Sequence, residues 1–375
     1  MKVFGPNELL NDVQKGGLCV GCGACVDLCP YFRNYRGKTS MLFPCTLAQG
    51  RCYASCPKAE VDLDELAARH WGGSYSGEPL GNYREILAAR AGEKMGKGRF
   101  QGGGTVSALV TFALKRKQID AAVLTDRKGL EPVPRLVTRP RDVAACGSSK
   151  FVAAPTLAVM NMAVREGHRC LAVVGTPCQM TAVAQMRLNP LARDDFLDPV
   201  AMAVGLFCNW ALDHRALAAF LEKRLDPSRI RAMDIPPPPA NVMILETADG
   251  KLEFPLDDIR PLIPQTCFIC PDMTSEWSDL SVGMFEGRTG WNTLLVRTER
   301  GGALVEEARA RGFLETESMP APYTDSLAKA ALQKKQRALR TATTREVLNV
   351  NQDGKRSALR VRPEVVESIL SAQAG

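Results

Sequence analysis

Four cysteines, Cys19, Cys22, Cys25 and Cys29, are spaced C-x-x-C-x-x-C-x-x-x-C and followed by Pro30. Three thiolates at this spacing can hold three corners of a 4Fe–4S cluster. In two-cluster ferredoxins the cysteine beside proline serves the neighbouring cluster. Residues 1–60 are cysteine-rich and poor in long periodic segments, so they are expected to form a small module shaped by its metals rather than by a core. Zinc or disulfides are the alternatives. Zinc sites rarely use a proline-ended run of four cysteines, and nothing in the sequence points to an oxidising compartment.

A second run, Cys45, Cys52 and Cys56 with Pro57 after it, is irregular. A regular motif would put cysteines where Thr46 and Gln49 stand. By the ferredoxin crossing rule, Cys56 joins Cys19, Cys22 and Cys25, and Cys29 joins Cys45 and Cys52. That second set lacks one ligand. It needs a remote residue such as Cys146, or it holds a three-iron cluster, or some of these cysteines are only small buried hydrophobes.

A third set lies far along the chain. Cys178 sits in Gly175-Thr176-Pro177-Cys178-Gln179, Cys208 follows Leu206-Phe207, and Cys267 and Cys270 form C-x-x-C before Pro271-Asp272. Cys178 and Cys208 fall at the carboxyl ends of expected strands, which converge on one crevice in an open α/β sheet. Four thiolates meeting there would make a third cluster. A zinc site or redox dithiol at Cys267/Cys270, and a core role for Cys170 and Cys208, are the alternatives.

The periodicity between these sets is that of alternating strands and helices. Val106–Lys117 reads as an amphipathic helix and 119–125 as a buried strand. A helix over 151–165, a strand over 169–174, a helix through Met186 and a strand over 200–208 follow. This is an α/β pattern. Residues 242–254 read as a hairpin around Asp249-Gly250. With 375 residues, 45% of them apolar, the chain is long enough for more than one domain.

The net charge of +7 suggests nucleic acid. However, the basic residues are scattered, without an aromatic-interleaved stripe, so no nucleic-acid function is expected. The densest run, Lys334-Lys335-Gln336-Arg337 to Arg340, reads as a solvated helix face, with a docking surface for an acidic partner or a polyanionic cofactor as the alternative. No signal-peptide pattern, twin-arginine leader or membrane-spanning run is seen, so a cytoplasmic protein is expected. His70, His168 and His214 are scattered, and no catalytic constellation is evident.

Several segments, taken in order, resemble the beta-subunit family of coenzyme F420-reducing hydrogenases and dehydrogenases. They are Gly102-Gly103-Gly104 before a helix and Ile119-Asp120; Gly147-Ser148-Ser149-Lys150-Phe151; the Gly175–Gln179 segment; Leu206-Phe207-Cys208; Cys267-x-x-Cys270-x-Asp272; and Asp279-Leu280-Ser281-Val282-Gly283 leading to Arg297-Thr298. The resemblance covers about residues 83–300. It implies an oxidoreductase, a flavoprotein with FAD beside a 4Fe–4S cluster on Cys178, Cys208, Cys267 and Cys270, and two to three clusters in all. It further implies exchange of a hydride with a soluble carrier, coenzyme F420 or NAD(P)H, and relay of electrons to or from hydrogenase, formate dehydrogenase or heterodisulfide-reductase-type subunits. A clusters-only adaptor and a flavin-dependent reductase of an organic substrate are the rival readings. Met284 and Phe151 depart from the family's usual acidic residue and tyrosine.

The flavin residues expected on this basis are Gly102, Gly103, Gly104, Thr105, Ser149, Lys150, Gly175, Thr176 and Pro177. Glycines before a helix let backbone amides approach a pyrophosphate, and the helix N-terminus adds positive potential. Lys150 can neutralise phosphate or reduced flavin, and Thr176 can offer a hydroxyl or an amide. The expected fold class is an α/β (mixed α+β) flavin-binding domain preceded by a small ferredoxin-like iron–sulfur domain. The expected divisions are 1–62 for the iron–sulfur domain, 63–82 for a connector, 83–318 for the flavin-binding domain with the third cluster, and 319–375 for a basic helical extension.

Overall fold

The computed structural model describes residues 2–96, 100–351 and 353–373. In chain order the helices are α1 Pro6–Leu9, continued by a π-helical turn Leu10–Lys15, α2 Arg51–Ala54, α3 Leu63–Trp71, α4 Thr105–Lys115, α5 Thr156–Arg165, α6 Pro177–Arg187, α7 His214–Leu221, α8 Leu256–Ile259, α9 Glu299–Ala310, α10 Ala321–Thr344 and α11 Pro363–Ser371. The strands are β1 Phe32–Tyr35, β2 Lys38–Met41, β3 Val61–Asp62, β4 Glu85–Ala91, β5 Ala121–Lys128, β6 Glu131–Val137, β7 Leu171–Gly175, β8 Val200–Leu206, β9 Ala232–Asp234, β10 Val242–Glu246, β11 Lys251–Pro255, β12 Leu280–Met284, β13 Asn292–Val296, β14 Leu314–Ser318, β15 Leu348–Asn349 and β16 Leu359–Arg360.

An eight-stranded mixed sheet in the order β14-β4-β13-β12-β8-β7-β5-β6 forms the centre. Its middle strands β5, β7, β8 and β12 run parallel. Alternation along the strands explains both faces. Ala121 and Val123 of β5, Leu171 and Val173 of β7, and Ala203 of β8 face α5 and α6. Ala122, Leu124, Ala172, Met202 and Val204 face α4 and α9. Two buried faces require nearly continuous apolar strands, and these segments have them. The 242–254 segment is a hairpin, β10 paired with β11, in a small sheet with β9 that has a core of its own.

Local stops match the sequence. Asp62 caps α3 by accepting from the Asp64 and Glu65 amides, and Gly72 ends it at φ +77°. Pro177 opens α6, whose Thr176/Gln179 capping box closes with Thr176 N–H donating to Gln179 Oε1 at 2.8 Å.

Three expectations are corrected. The N-terminal module has a core: Leu9, Val13, Phe32 and Tyr53 pack together, and Ala342 and Ala358 from the far end of the chain join them. Residues 63–82 are more than a connector, because α3 buries Leu63, Leu66 and Ala67 against α6 and α11. The basic run is not a solvated face: Lys334 and Lys335 are 2% and 1% exposed. Lys335 is paired with buried Glu276 and donates to Tyr75 Oη at 2.8 Å. Charge at those positions reflects distant partners rather than water.

The C-terminal segment also adds backbone pairing. In the small sheet β15-β16-β3, β16 runs parallel to β3. Buried Glu60 is bonded by Arg360 at 2.6 Å and by the Ser357 amide at 2.7 Å. Among the described residues no helix is long and apolar enough to cross a membrane.

Candidate functional site

Eleven of the thirteen cysteine thiols fall into three neighbourhoods. Cys19, Cys22, Cys25, Cys52 and Cys56 line a small cavity together with Leu9, Val13 and Lys58. Burial first, then Cys56 and Cys178, pushes the Cys22 thiol well up, and burial with Cys56, Cys19 and Cys52 does the same to Cys25. Burial pushes Cys56 up to about 12, with Cys19 and Cys52 adding to it. Cys52 is also faced by Cys29 and Cys45. Cys19, Cys22, Cys25, Cys52 and Cys56 thus share one cavity, and Cys29 and Cys45 lie on the Cys52 side of it. Cys146 lies elsewhere. It faces Lys150, Asp126, Arg135 and Asp142 and packs on the α4 side of the sheet, so it does not complete the second group.

The third neighbourhood forms at the carboxyl ends of β7 and β8. Cys178 stands in the first turn of α6, Cys208 two residues past β8, and Cys267 and Cys270 on and after the 3-10 turn Gln265–Ile269. Burial and the other members of the group raise the thiols of Cys178, Cys208 and Cys267. The Cys208 amide donates to Met273 O at 2.9 Å, which ties the end of β8 to the cysteine loop.

Asp272 turns that loop by accepting from the Ser275 and Glu276 amides at 2.7 and 2.8 Å. Arg297, 4% exposed, donates to Leu80 O, Asn82 O, Thr274 and Ser281 Oγ. Asp279 accepts from the Ala203 amide and from Arg300. The motif residues Asp272, Asp279, Ser281 and Arg297 therefore form the frame that fixes the loop to the sheet. Among the described residues no three His, Cys, Asp or Glu side chains close on one metal ion.

The residues singled out for a flavin gather partly. Gln101 accepts from the Ser149 amide at 2.6 Å, joining the glycine loop to the 147–151 loop. Gly103 lies against the sheet, where a Cβ would come within 2.8 Å of Ala89 O and 2.9 Å of the Asn292 amide nitrogen. Gly104 is at φ +75°, so this loop requires glycine for packing before any ligand is considered. The Thr105 amide donates to Asn292 Oδ1, while its hydroxyl is buried without a partner among the described residues.

Lys150 donates at 2.8 Å to the carbonyls of Cys146, Gly147 and Ser148. Burial, with Arg127 beside it, lowers its pKa to about 8. Ser148 and Phe151 flank it at φ +76° and +55°, a sparsely populated region for side-chain-bearing residues. Thr176 Oγ1 is 3.2 Å from Cys178 Sγ. Gly175 and Pro177 therefore adjoin the third thiol group. Met284 is exposed at the end of β12, and Phe151 packs into the core around β9–β11.

A separate cavity of about 560 Å3 opens at the amino ends of β8 and β12, lined by Arg69, His70, Arg187, Asp198, Thr298 and Arg300 among others. Arg187 and Arg300 are tied to Asp198 and Asp279, and none of the expected site residues reaches it.

Two residues beside the thiols, Lys58 and Lys334, were missed in the sequence. Each stands within a charged or cysteine-proline stretch whose local pattern gives no sign of burial.

Residues 86–161 match the family model described as the N-terminal part of the coenzyme F420 hydrogenase/dehydrogenase beta subunit, and residues 168–322 match the model of its C-terminal part. The chain is 30% identical to the coenzyme F420 hydrogenase subunit beta of Methanococcus voltae, over 69% of this chain and 94% of that one. It is 25% identical to the coenzyme F420-dependent sulfite reductase of Methanocaldococcus jannaschii, over 78% of this chain and 46% of that protein. Its fold superposes with a TM-score of 0.65 and 27% identity on a chain of the F420-reducing NiFe hydrogenase complex from Methanosarcina barkeri, covering 71% of this chain and 93% of that one.

Proposed function

The chain belongs to the coenzyme F420 hydrogenase/dehydrogenase beta-subunit family, and on that premise we propose that it is an electron-entry subunit. In this reading it exchanges a hydride with reduced coenzyme F420 or NAD(P)H and passes single electrons to or from a partner oxidoreductase subunit. The observation that carries the reading is the continuity of the thiol groups. Cys25 and Cys52 line one cavity, and Cys22 packs in the core that also holds Met180 and Ala182 of α6, so the groups follow one another from the module to the crevice beside α6.

The donor sets fit iron–sulfur groups. Thiolates this close would repel one another, and an iron–sulfur core bound among them would offset that charge, cysteine thiolates being the ligands such clusters use. The orphaned Thr105 hydroxyl at the start of α4 suits an anionic cofactor group there. When bound, FAD takes an electron pair as hydride and gives single electrons to clusters. The chain's own residues do the rest: Asp272 and Arg297 hold the Cys267–Cys270 loop, Asn292 holds the glycine loop, and the two cores exclude water from the thiols.

Lys150 favours a second reading. Its ammonium is engaged with three carbonyls of its own loop, which suits a clusters-only adaptor better than a phosphate site. An anaerobic visible-spectrum titration of the reconstituted chain separates the two. If reduced coenzyme F420, NADH or NADPH bleaches flavin and cluster absorbance together, the entry-subunit reading holds. If none of these donors acts, while dithionite bleaches the clusters of a flavin-free chain, the adaptor reading replaces it.

A further inference from the structure

Two buried lysines flank the third thiol group, one from each end of the chain and both outside the residues matched by the family models. Lys58, 6% exposed, lines the cavity of the first thiol group with Cys22, Cys25 and Cys56. Its charge also reaches Cys178 and Cys267 of the third group. It therefore stands between the two groups. Lys334, 2% exposed, donates to Cys208 O at 2.5 Å and Asp272 O at 2.7 Å. Its charge reaches Cys208 and Cys267. A buried ammonium is costly, and neither lysine has a carboxylate ion pair at bonding distance among the described residues. The acidic groups these cations face are the cysteine thiols, which become anionic only as ligands.

We infer that Lys58 and Lys334 are positioning charges that make the third thiol group's cluster the easiest of the three to reduce. The inference rests on the proposed reading of the thiol groups as iron–sulfur sites. Reduction adds one electron and one negative charge to a cluster, with no bond made or broken. A fixed cation nearby in a low-dielectric interior stabilises that added charge. Lys58 acts on two clusters because of its place between them, whereas Lys334 acts on one. The module and the C-terminal extension would thus tune the family domain from outside.

The test is an EPR-monitored redox titration of the full chain, anaerobically reconstituted, with dithionite as reductant and iron counted per chain. Lys334→Met is expected to lower the equilibrium constant for reducing the third cluster about tenfold or more, which is about 59 mV for a one-electron couple. Lys58→Met is expected to lower it for the first and third clusters together. Lys334→Met should not move a cluster on Cys29, Cys45 and Cys52, and Lys58→Arg should stay near the parent.

If the Met variants keep their clusters and no potential moves, the inference is overturned. Loss of a cluster in Lys58→Met but not in Lys58→Arg supports a role for the charge; loss in both overturns it, because shape is then what matters. If the unmodified chain binds no iron at the third group, the underlying reading fails instead, and the iron count shows this before any variant is made.

Discussion

Along β5, β7 and β8 the buried positions are Ala, Val, Leu and Met. By contrast, much of the seam where the C-terminal extension packs on the rest of the chain is closed by charge. Lys335 meets Glu276, Arg360 meets Glu60, Arg362 meets Asp64 and Arg356 meets Asp12. The two constructions fail differently. An apolar face loses about 1.5–3 kcal/mol for each fully buried side chain removed, and its neighbours relax into part of the space. A buried ion pair adds little net stability over an apolar pair of the same shape, yet removing one partner strands a charge. The sheet should therefore tolerate single losses in proportion to size, whereas the seam should fail at particular residues.

The largest expected effect comes from ending the chain after Thr344, which removes β15, β16 and α11. Glu60 then loses Arg360 and the Ser357 amide. We expect most of the iron to be lost from the N-terminal thiol groups while the eight-stranded sheet stays folded, measured by iron per chain and circular dichroism. Full retention of iron would break the comparison.

Next is Lys335→Met, which leaves Glu276 buried without its partner and should cost about 3–5 kcal/mol in denaturant unfolding. Adding Glu276→Leu should recover most of that loss; a double variant no better than the single one would show that shape, not charge, closes the seam. In the sheet, Leu171→Ala should cost about 3 kcal/mol without change in iron content.

His70 sharpens the comparison from the side of the α3 contact. Burial lowers its pKa from 6.5 to about 4, against an opposing pull from Asp279, and its Nε2 meets Ser278 O at 3.2 Å. The unfolded chain binds this proton more readily than the folded one. The contribution is therefore complete above pH 6.5 and is lost as pH falls toward 4, by roughly 3 kcal/mol at most. His70→Phe should flatten that acid limb in unfolding measured from pH 7 to 4. The smallest effect is expected from Arg356→Ala: its pair with Asp12 is partly exposed, so the loss should stay under about 1 kcal/mol and shrink in salt.

The sheet was legible because its signal is local. The run 119–125 and the strands ending at Gly175 and Leu206 announce buried strands within a few residues, and they place Cys178 and Cys208 at one end. The seam was not legible because its partners are remote: Lys335 lies 59 positions from Glu276, and Arg360 lies 300 from Glu60. Seen alone, Lys334-Lys335 resembles any wet helix face. The glycine loop was legible as a tight approach. However, the neighbours of Gly103 are Ala89 and Asn292, which lie on two other strands that only the fold brings near.

The pairing of β16 with β3 also sets an order of events during synthesis. Residues 1–62 leave the ribosome before the strand that lies beside Val61–Asp62 and the arginine that meets Glu60, which stands 300 positions later. Domains generally fold as they are made, from the N-terminus onward. Here the module, with its seven cysteines, lacks that strand and that arginine until residues 357–360 have been made. Closure of the module on that side thus depends on residues made long after its cysteines.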